Sequence, residues 1–475
     1  MPLNILLLVA DDHRWESLGA NGCAEVATPA LDALAAAGVG FDGAHCQGGM
    51  HPAVCAPSRA SLMTGRDVFT SSQDPTGLEF GGRAFAIPAA MPTVPERLRD
   101  NGYVTHHVGK WHNDRATFAR SFTSASRVMF GGMSDHDRVP LHDYDPTGAY
   151  PEDAARTEPG LSSDLFREAA ETFLKTRDRD RPFFLQVAFT APHDPRDPPP
   201  RHRIPADRIA LPPNFLPVHP FDTGEMLVRD ELLERTPRPP DAVRQHIADY
   251  LGMVQHLDEA IAGILATLDA EGLSENTLVI YTADHGIAIG QHGLMGKQNL
   301  YEHSTRIPLI LSGPGLRRGA REPALVWHAD TAATMIDAAG LPPLPDGAGE
   351  SLLPMARAAG ARPPRETFVS LHCVTQRAIR DDRWKLILTL PNPDALMRSA
   401  ASGRTSRGAL VEQLFDLKTD PAETVNLSAH PDCQRIRESL IERLLDWQRR
   451  TSDPLLADTR AALVRLARPD PEIAR

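Results

Sequence analysis

Cysteine is scarce in this 475-residue chain: five residues stand at positions 23, 46, 55, 373 and 433, an odd number with no CxxC pair. Such a set does not make a disulfide framework, and it points to a reducing compartment. No run of apolar residues approaches membrane-spanning length, so no membrane partner is expected. The N-terminus enters NILLLVADD with neither a basic segment nor a cleavable apolar stretch before it, so a cytoplasmic protein is expected. Positive charge is short as well. The formal net charge is −12, and no basic cluster offsets it, which argues against a nucleic-acid partner. An anionic substrate would therefore need local positive charge or a metal ion. Lysine is the scarcest cation: of fifty basic residues only Lys110, Lys175, Lys297, Lys385 and Lys418 are lysine. A lysine kept in such an arginine-rich background can mark a place that needs a compact ammonium rather than a planar fork.

Short apolar runs bounded by turn residues are plentiful. NILLLVA (4–10), YVTHHVG (103–109), PFFLQVAFT (182–190) and TLVIYTA (277–283) read as strands. Three are nearly continuous in apolar residues, as buried parallel strands are. Helical patterns lie near 29–37, 93–101, 162–177 and 242–271, the last with apolar residues at three- and four-residue steps up to Gly272. This alternation predicts an α/β domain over residues 1–355, with a large mixed, mainly parallel sheet flanked by helices. Residues 192–240 are dense in proline and read as a long surface loop. After about 350, ETFVSLH, QRAIRDDRWKLILTL and EQLFDL read as short strands, followed by a helix near 431–450. Residues 356–475 are therefore expected to form a smaller C-terminal α+β domain, an antiparallel sheet plus helix, and its last twenty or so residues are charged with a helical pattern.

Ligands of open α/β sheets bind outside the carboxyl ends of the strands, so the residues just past each strand carry the information. Asp11 and Asp12 follow the first strand, and Lys110 and His112 in GKWH follow the second. His193 in TAPHDP follows the third. Asp284–His285–Gly286 follows the fourth, with Lys297 eleven residues beyond Gly286. Singly, each is an ordinary cap, turn or loop residue. Jointly they gather carboxylates, two lysines and two histidines at one edge, the arrangement expected for a hard cation beside a bound oxyanion. Carboxylates would fix a divalent cation that polarises an anionic oxygen. Lysines and Arg59 would neutralise charge on non-bridging oxygens, and a histidine with a pKa near 7 would pass protons to and from a leaving alcohol. The chemistry indicated is transfer of a sulfuryl or phosphoryl group.

The segment CAPSRASLMTGR (55–66) adds a cysteine at a helix start. Pro57 suits a first turn and Gly65 a stop. Free N–H groups there favour an anion and would acidify a thiol, so the first expectation is a cysteine nucleophile.

These residues also carry a family resemblance. CAPSRASLMTGR resembles the signature of the type I sulfatases, the cysteine-type, formylglycine-dependent enzymes of the alkaline-phosphatase superfamily. The likeness continues, in the family's order, through NILLLVADDHRWESLGANG, TPALDALAAAGVGFDGAHCQ, MPTVPERLRDNGYVTHHVGKWH, YTADHGIAIGQHGLMGKQNLYEHSTRIPLIL and LFDLKTDPAETVNL. It implies that Cys55 is only a precursor, oxidised to Cα-formylglycine by a separate maturation enzyme. The aldehyde hydrate would then hydrolyse a sulfate monoester through a covalent sulfo-enzyme intermediate and release inorganic sulfate.

Position by position, the resemblance implies that Asp11, Asp12, Asp284 and the modified Cys55 are metal ligands, with His285 completing the set. Arg59 would hold the formylglycine, and Lys110 and Lys297 would bind sulfate oxygens. His112 would assist the hydrate and its collapse, and His193, with Lys297, would protonate the leaving oxygen. One divalent cation is implied, calcium first. Many relatives carry asparagine at the position of His285, and an imidazole suits calcium poorly, so magnesium and manganese are the alternatives. FGGMSDHDRVPLHDYDPTG (130–148) and the proline-rich loop are expected to line the substrate pocket, with His136, His142, Arg196, His303 and His372 as candidates. A sulfated saccharide is the leading substrate and a small aryl or alkyl sulfate the second. A phosphodiesterase or phosphonate monoester hydrolase is the nearest alternative, and a non-catalytic binder of sulfated glycans the more distant one. The complete CAPSR and the paired lysines favour sulfate esters.

Overall fold

Every residue of NILLLVA is buried in β1 (Asn4–Ala10), which runs through the middle of the main sheet. The computed structural model describes residues 2–72, 86–392 and 406–467. In chain order the other strands are β2 (Val39–His45), β3 (Gly48–Gly49), β4 (Val104–Lys110), β5 (Ser124–Met129), β6 (Phe183–Ala188) and β7 (Thr277–Ala283). There follow β8 (Leu309–Ser312), β9 (Ala320–Trp327), β10 (Phe368–His372), β11 (Gln376–Arg380), β12 (Trp384–Thr389) and β13 (Val411–Asp416).

Eight strands make one sheet in the order β5-β4-β6-β1-β7-β8-β2-β9. β8 runs antiparallel to both of its neighbours and the other pairings are parallel, so the sheet is mixed and mainly parallel, as expected. Leu6, Leu7 and Leu8 are fully buried, and truncating any of them to alanine would cost about 2–5 kcal/mol. Two groups of helices flank the sheet. Pro29–Ala37 and Ser162–Thr176 pack on the long helix Pro240–Ala270, while Cys55–Thr64 and Val94–Arg99 pack on His328–Ala338. The long helix starts with proline at its first position, where the missing N–H costs nothing, and Val94–Arg99 is closed by a Thr93–Glu96 capping box.

A second sheet has the order β13-β12-β11-β10-β3. Its antiparallel meander β10–β13 is the one the late sequence predicts, and β3 adds to it in parallel through Leu371 and His372. The helix Gln434–Arg450 packs on β11 and β12. The helical pattern near the end is realised as Leu456–Leu466, and residues past 467 lie outside those described. The proline-rich stretch 192–240 contains only short 3₁₀ turns at Pro200–His202, Ala206–Arg208 and Asp230–Leu233 before the long helix begins. No helix among the described residues is long and apolar enough to cross a membrane.

Candidate active site

Strand register builds the acidic centre. β1 pairs with β7 so that Ala10 stands opposite Ala283, which brings the next residues, Asp11 and Asp284, side by side. The Asp284 amide donates to the Ala10 carbonyl at 3.1 Å, and the Asp12 amide donates to Asp284 Oδ1 at 3.2 Å. Asp12 takes a left-handed backbone, φ 65°, an unusual conformation for a residue other than glycine and one found at functional sites.

Lys110 arrives from two strands away at the end of β4. A β-bulge between Val108 and Gly109 re-aims the strand just before it. Gly109 has φ 94°, and a Cβ there would lie 2.1 Å from the Ala188 carbonyl oxygen, so only glycine fits. Lys110 Nζ donates to Asp11 Oδ2 and to the Gly132 carbonyl, both at 2.5 Å.

Cys55 is the first residue of the helix Cys55–Thr64, which Gly65 closes in the left-handed region. Its Sγ lies 3.5 Å from Asp11 Oδ1, 3.8 Å from Asp12 Oδ1 and 3.0 Å from Lys297 Nζ. One turn on, Arg59 donates from Nε to Asp284 Oδ2 at 2.7 Å and from Nη1 to the Lys110 carbonyl at 2.9 Å. Its buried Nη2 has no hydrogen-bond partner. Lys297 Nζ bridges both oxygens of Asp12 at 2.6 and 2.8 Å.

The charges are strongly perturbed. Burial would raise the Asp11 carboxyl, but Lys110, His193 and Arg59 hold it far below the usual range. Asp12 goes the other way, lifted to about 6 by burial despite Lys297. Burial would lower the Lys297 ammonium, yet Asp12 and Cys55 keep it well above an ordinary lysine. The expected acidified thiol is not found: burial, with Asp284 beside it, pushes Cys55 well above the usual thiol range. Helix N–H groups do not outweigh desolvation and neighbouring carboxylates. As an unmodified thiol, Cys55 is a poor nucleophile.

His112, φ 60°, is half-buried, and its Nδ1 is buried without a hydrogen-bond partner. Burial, then Lys110 and Arg59, drive its pKa well below 6.5, so it is a neutral imidazole and not the group near pH 7 that strand-end reasoning expected. His193 Nδ1 faces the Asp194 carbonyl at 2.7 Å. A carbonyl only accepts, so Nδ1 carries the proton, and Nε2 is left facing Asp12 Oδ2 at 3.6 Å.

Cys55, His112, His193 and Lys297 line one cavity of about 440 Å³, together with Met133, Leu227, Val228, Arg229 and Asp230. Arg229 grips the Asp194 carboxylate with both terminal nitrogens. Those neighbours come from 130–148 and from the proline-rich segment, the two stretches expected to line the pocket, although the sequence singles out none of these individual residues. A larger cavity of about 930 Å³, between Asp42, Arg306, Arg365 and Arg443, holds none of the strand-end residues.

Asp11, Asp12, Cys55 and Asp284 each offer a ligand atom within 4.8 Å of the others. Three buried carboxylates suit a hard divalent cation, and Arg59 Nη2, 3.8 Å from Asp11 Oδ1 and without a hydrogen bond, is placed to meet an oxyanion. The residues therefore fit the metal implied by the resemblance. His285 is not among the four, and its Nδ1 faces the Gly286 carbonyl at 2.8 Å.

The five pocket candidates lie outside the lining of the 440 Å³ cavity. His136 supports it from behind, with Nε2 at 2.9 Å from the His193 carbonyl and Nδ1 at 2.9 Å from Ser162 Oγ. His142 packs against Phe130 and Tyr150, and His303 against Tyr301 and His292. The Arg196 guanidinium lies 5.9 Å from the centre of the Tyr250 ring. His372 Nε2 stands 3.2 Å from Glu225 Oε1.

The chain is similar along most of its length to known proteins. The family model described as Sulfatase matches residues 3–341, and a second, described as N-sulphoglucosamine sulphohydrolase, C-terminal, matches 290–397. An N-acetylglucosamine-6-O-sulfatase of Bacteroides thetaiotaomicron is 26% identical, covering 95% of this chain and 87% of the relative. Human N-sulphoglucosamine sulphohydrolase is 28% identical, covering 95% and 91%. A structure solved in complex with D-glucosamine-2-N,6-O-disulfate superposes with a TM-score of 0.75 at 24% identity, covering 95% of this chain and 99% of the other.

Proposed function

This chain belongs to the sulfatase family, sulfuric ester hydrolases of alkaline-phosphatase-like fold, and from that premise we propose that it removes sulfate from a sulfated saccharide of the glucosamine class. The observation that carries the reading is the buried set of Asp11, Asp12, Cys55 and Asp284, which reaches through Cys55 a cavity also lined by Lys297, His112 and His193. The glucosamine class is supported by the names of both relatives and by the sugar bound in the similar structure.

Arg59, tied to Asp284 and the Lys110 carbonyl, fixes the start of the helix and holds position 55 against the carboxylates. Lys110 and Lys297 supply positive charge where sulfate oxygens would sit, and they do so in a buried site where such charge acts strongly. His112, kept neutral by burial, can accept a proton from a nucleophile beside it. His193, its Nδ1–H pinned by the Asp194 carbonyl, turns Nε2 toward the reacting centre, and as an imidazolium it would give its Nε2 proton to the departing alcohol. A divalent cation held by Asp11, Asp12, Asp284 and residue 55 would supply Lewis acidity, with calcium the first choice for an oxygen-rich set and magnesium or manganese the alternatives. Oxidation of Cys55 to formylglycine by a maturation enzyme would supply an aldehyde hydrate, one hydroxyl to displace the alcohol from sulfur and a second to drive sulfate off.

The test is release of inorganic sulfate from glucosamine 6-sulfate, N-sulfoglucosamine and a galactosamine sulfate, beside hydrolysis of a phosphonate monoester. The expected result is highest kcat/KM on a sulfated glucosamine. A higher kcat/KM on the phosphonate would overturn the sulfatase assignment, and preference for the galactosamine sulfate would overturn the sugar class.

A further inference from the structure

A second cluster of metal-ligating side chains lies apart from the acidic centre. Glu225, His372 and Cys373 each bring a ligand atom within 4.8 Å of the others. Glu225 and His372 are buried, at 5% and 1% exposure, while Cys373 is half-buried, which leaves a route in. Cys373 also takes a left-handed backbone, φ 43°, a costly conformation for a residue other than glycine.

His372 Nε2 and Glu225 Oε1 pair at 3.2 Å, but the far atoms of the pair, His372 Nδ1 and Glu225 Oε2, make no hydrogen bond, nor does the neighbouring Thr375 Oγ1. Buried polar atoms left without hydrogen bonds call for an explanation. A cation bound by nitrogen, sulfur and oxygen would satisfy them together. That donor set selects zinc over calcium or magnesium, which take oxygen alone. Tetrahedral zinc, with bonds of about 2.0–2.3 Å, needs ligand atoms roughly 3.3–3.8 Å apart. The Glu225–His372 separation of 3.2 Å lies within about 0.1 Å of this range, and the remaining gaps, at most 4.8 Å, need to close by about 1–1.5 Å.

The cluster sits where three segments of the catalytic cavity's wall meet the second sheet. The Glu225 carbonyl accepts from the Val228 amide at 3.2 Å, and Leu227 and Val228 line the cavity. The Cys373 amide donates to the Gly49 carbonyl at 2.8 Å, three residues before Pro52 in the same lining. Gln376 Nε2 donates to the carbonyl of Gln298, another lining residue, at 3.1 Å.

We propose that Glu225, His372 and Cys373 form a zinc site, with water in the fourth position, that ties the cavity wall to the second sheet. The probe is Co²⁺, a spectroscopic stand-in for zinc, added to tag-free, chelator-stripped Cys55→Ala protein so that residue 55 contributes no thiolate. The expected result is a thiolate-to-cobalt charge-transfer band that saturates at one equivalent and is removed by one equivalent of Zn²⁺. Cys373→Ser should lose the band, and His372→Gln should weaken cobalt binding roughly tenfold or more. Absence of the band in the Cys55→Ala parent overturns the site. So does a band that survives Cys373→Ser and therefore comes from Cys23, Cys46 or Cys433. Should Cys373→Ser fail to fold, His372→Gln decides, and cobalt affinity equal to the parent's would overturn the site.

Discussion

The Lys297 ammonium stands 3.0 Å from the Cys55 sulfur and 2.6 Å from Asp12 Oδ1, a buried cation shared by the residue to be modified and a carboxylate of the acidic centre. An ammonium there can meet an oxyanion without reorienting, which is how a preorganised site lowers a barrier.

Lys297→Ala should lower kcat by roughly 10²–10³-fold. Lys297→Arg should recover little of it, because a planar fork does not replace a compact ammonium lodged between Cys55 and Asp12. Circular dichroism should first show both variants folded, since removing one partner of a buried pair destabilises by about 3–5 kcal/mol. Recovery by arginine to within about tenfold of wild type would contradict the assigned role.

His193 is assigned to the leaving oxygen, so its loss should matter most where the leaving group is poor. In His193→Asn, turnover of a saccharide sulfate should fall by about 10²–10⁴-fold, and that of a nitrophenyl sulfate much less. Steady-state kinetics on the two substrates checks this. An equal fall on both would remove His193 from the protonation step.

Stability should fall as the solution turns mildly acidic. Burial holds His45, His13 and His219 at about 4, and His106, His107, His285 and His292 at about 3, all from an ordinary 6.5. Unfolded, each takes a proton near 6.5. Folded, each stays neutral until pH 3–4, so the unfolded chain binds more protons between those limits. The stabilisation from neutral histidines is complete above 6.5 and drains as pH falls through the window. Glu231 and Glu423, raised to about 7, Asp12 and Asp258, raised to about 6, and His372, raised to about 10, act in the opposite sense, but they are five against seven. The urea midpoint should therefore be lower at pH 5 than at pH 7.5. A midpoint that holds or rises on acidification would contradict the histidine account.

The catalytic centre was more legible in the sequence than the walls around it. Asp11, His193 and Asp284 each come just after a strongly apolar strand, and Lys110 ends the less apolar β4, so the strand-end rule alone gathers them. β2, β8 and β9 escaped because their signals are weak: VGFDGAH carries two glycines, LILS is four residues long, and AREPALVW mixes charges and a proline in an edge strand. The bulge at Gly109 and the left-handed turns at Asp12 and His112 left no pattern to read. Nor did the lysine count identify every buried ammonium: Lys385, in the second sheet, is buried between Glu302 and Glu423. The acidified thiol failed because helix polarity was weighed without the three carboxylates that the fold places beside Cys55. The cavity wall from Leu227 to Asp230 follows from tertiary packing of a proline-rich segment, which carries no periodicity.

The central claim is that Cys55 becomes the catalyst only after oxidation, and mass spectrometry of the peptide containing Cys55, paired with sulfate release, tests it most directly. Protein produced with a formylglycine-generating enzyme should show the thiol replaced by an aldehyde, and activity should rise in proportion to the converted fraction. Cys55→Ala and unconverted protein should lack that activity. Full sulfate release by protein whose Cys55 peptide is wholly thiol, or by Cys55→Ala, would contradict the claim.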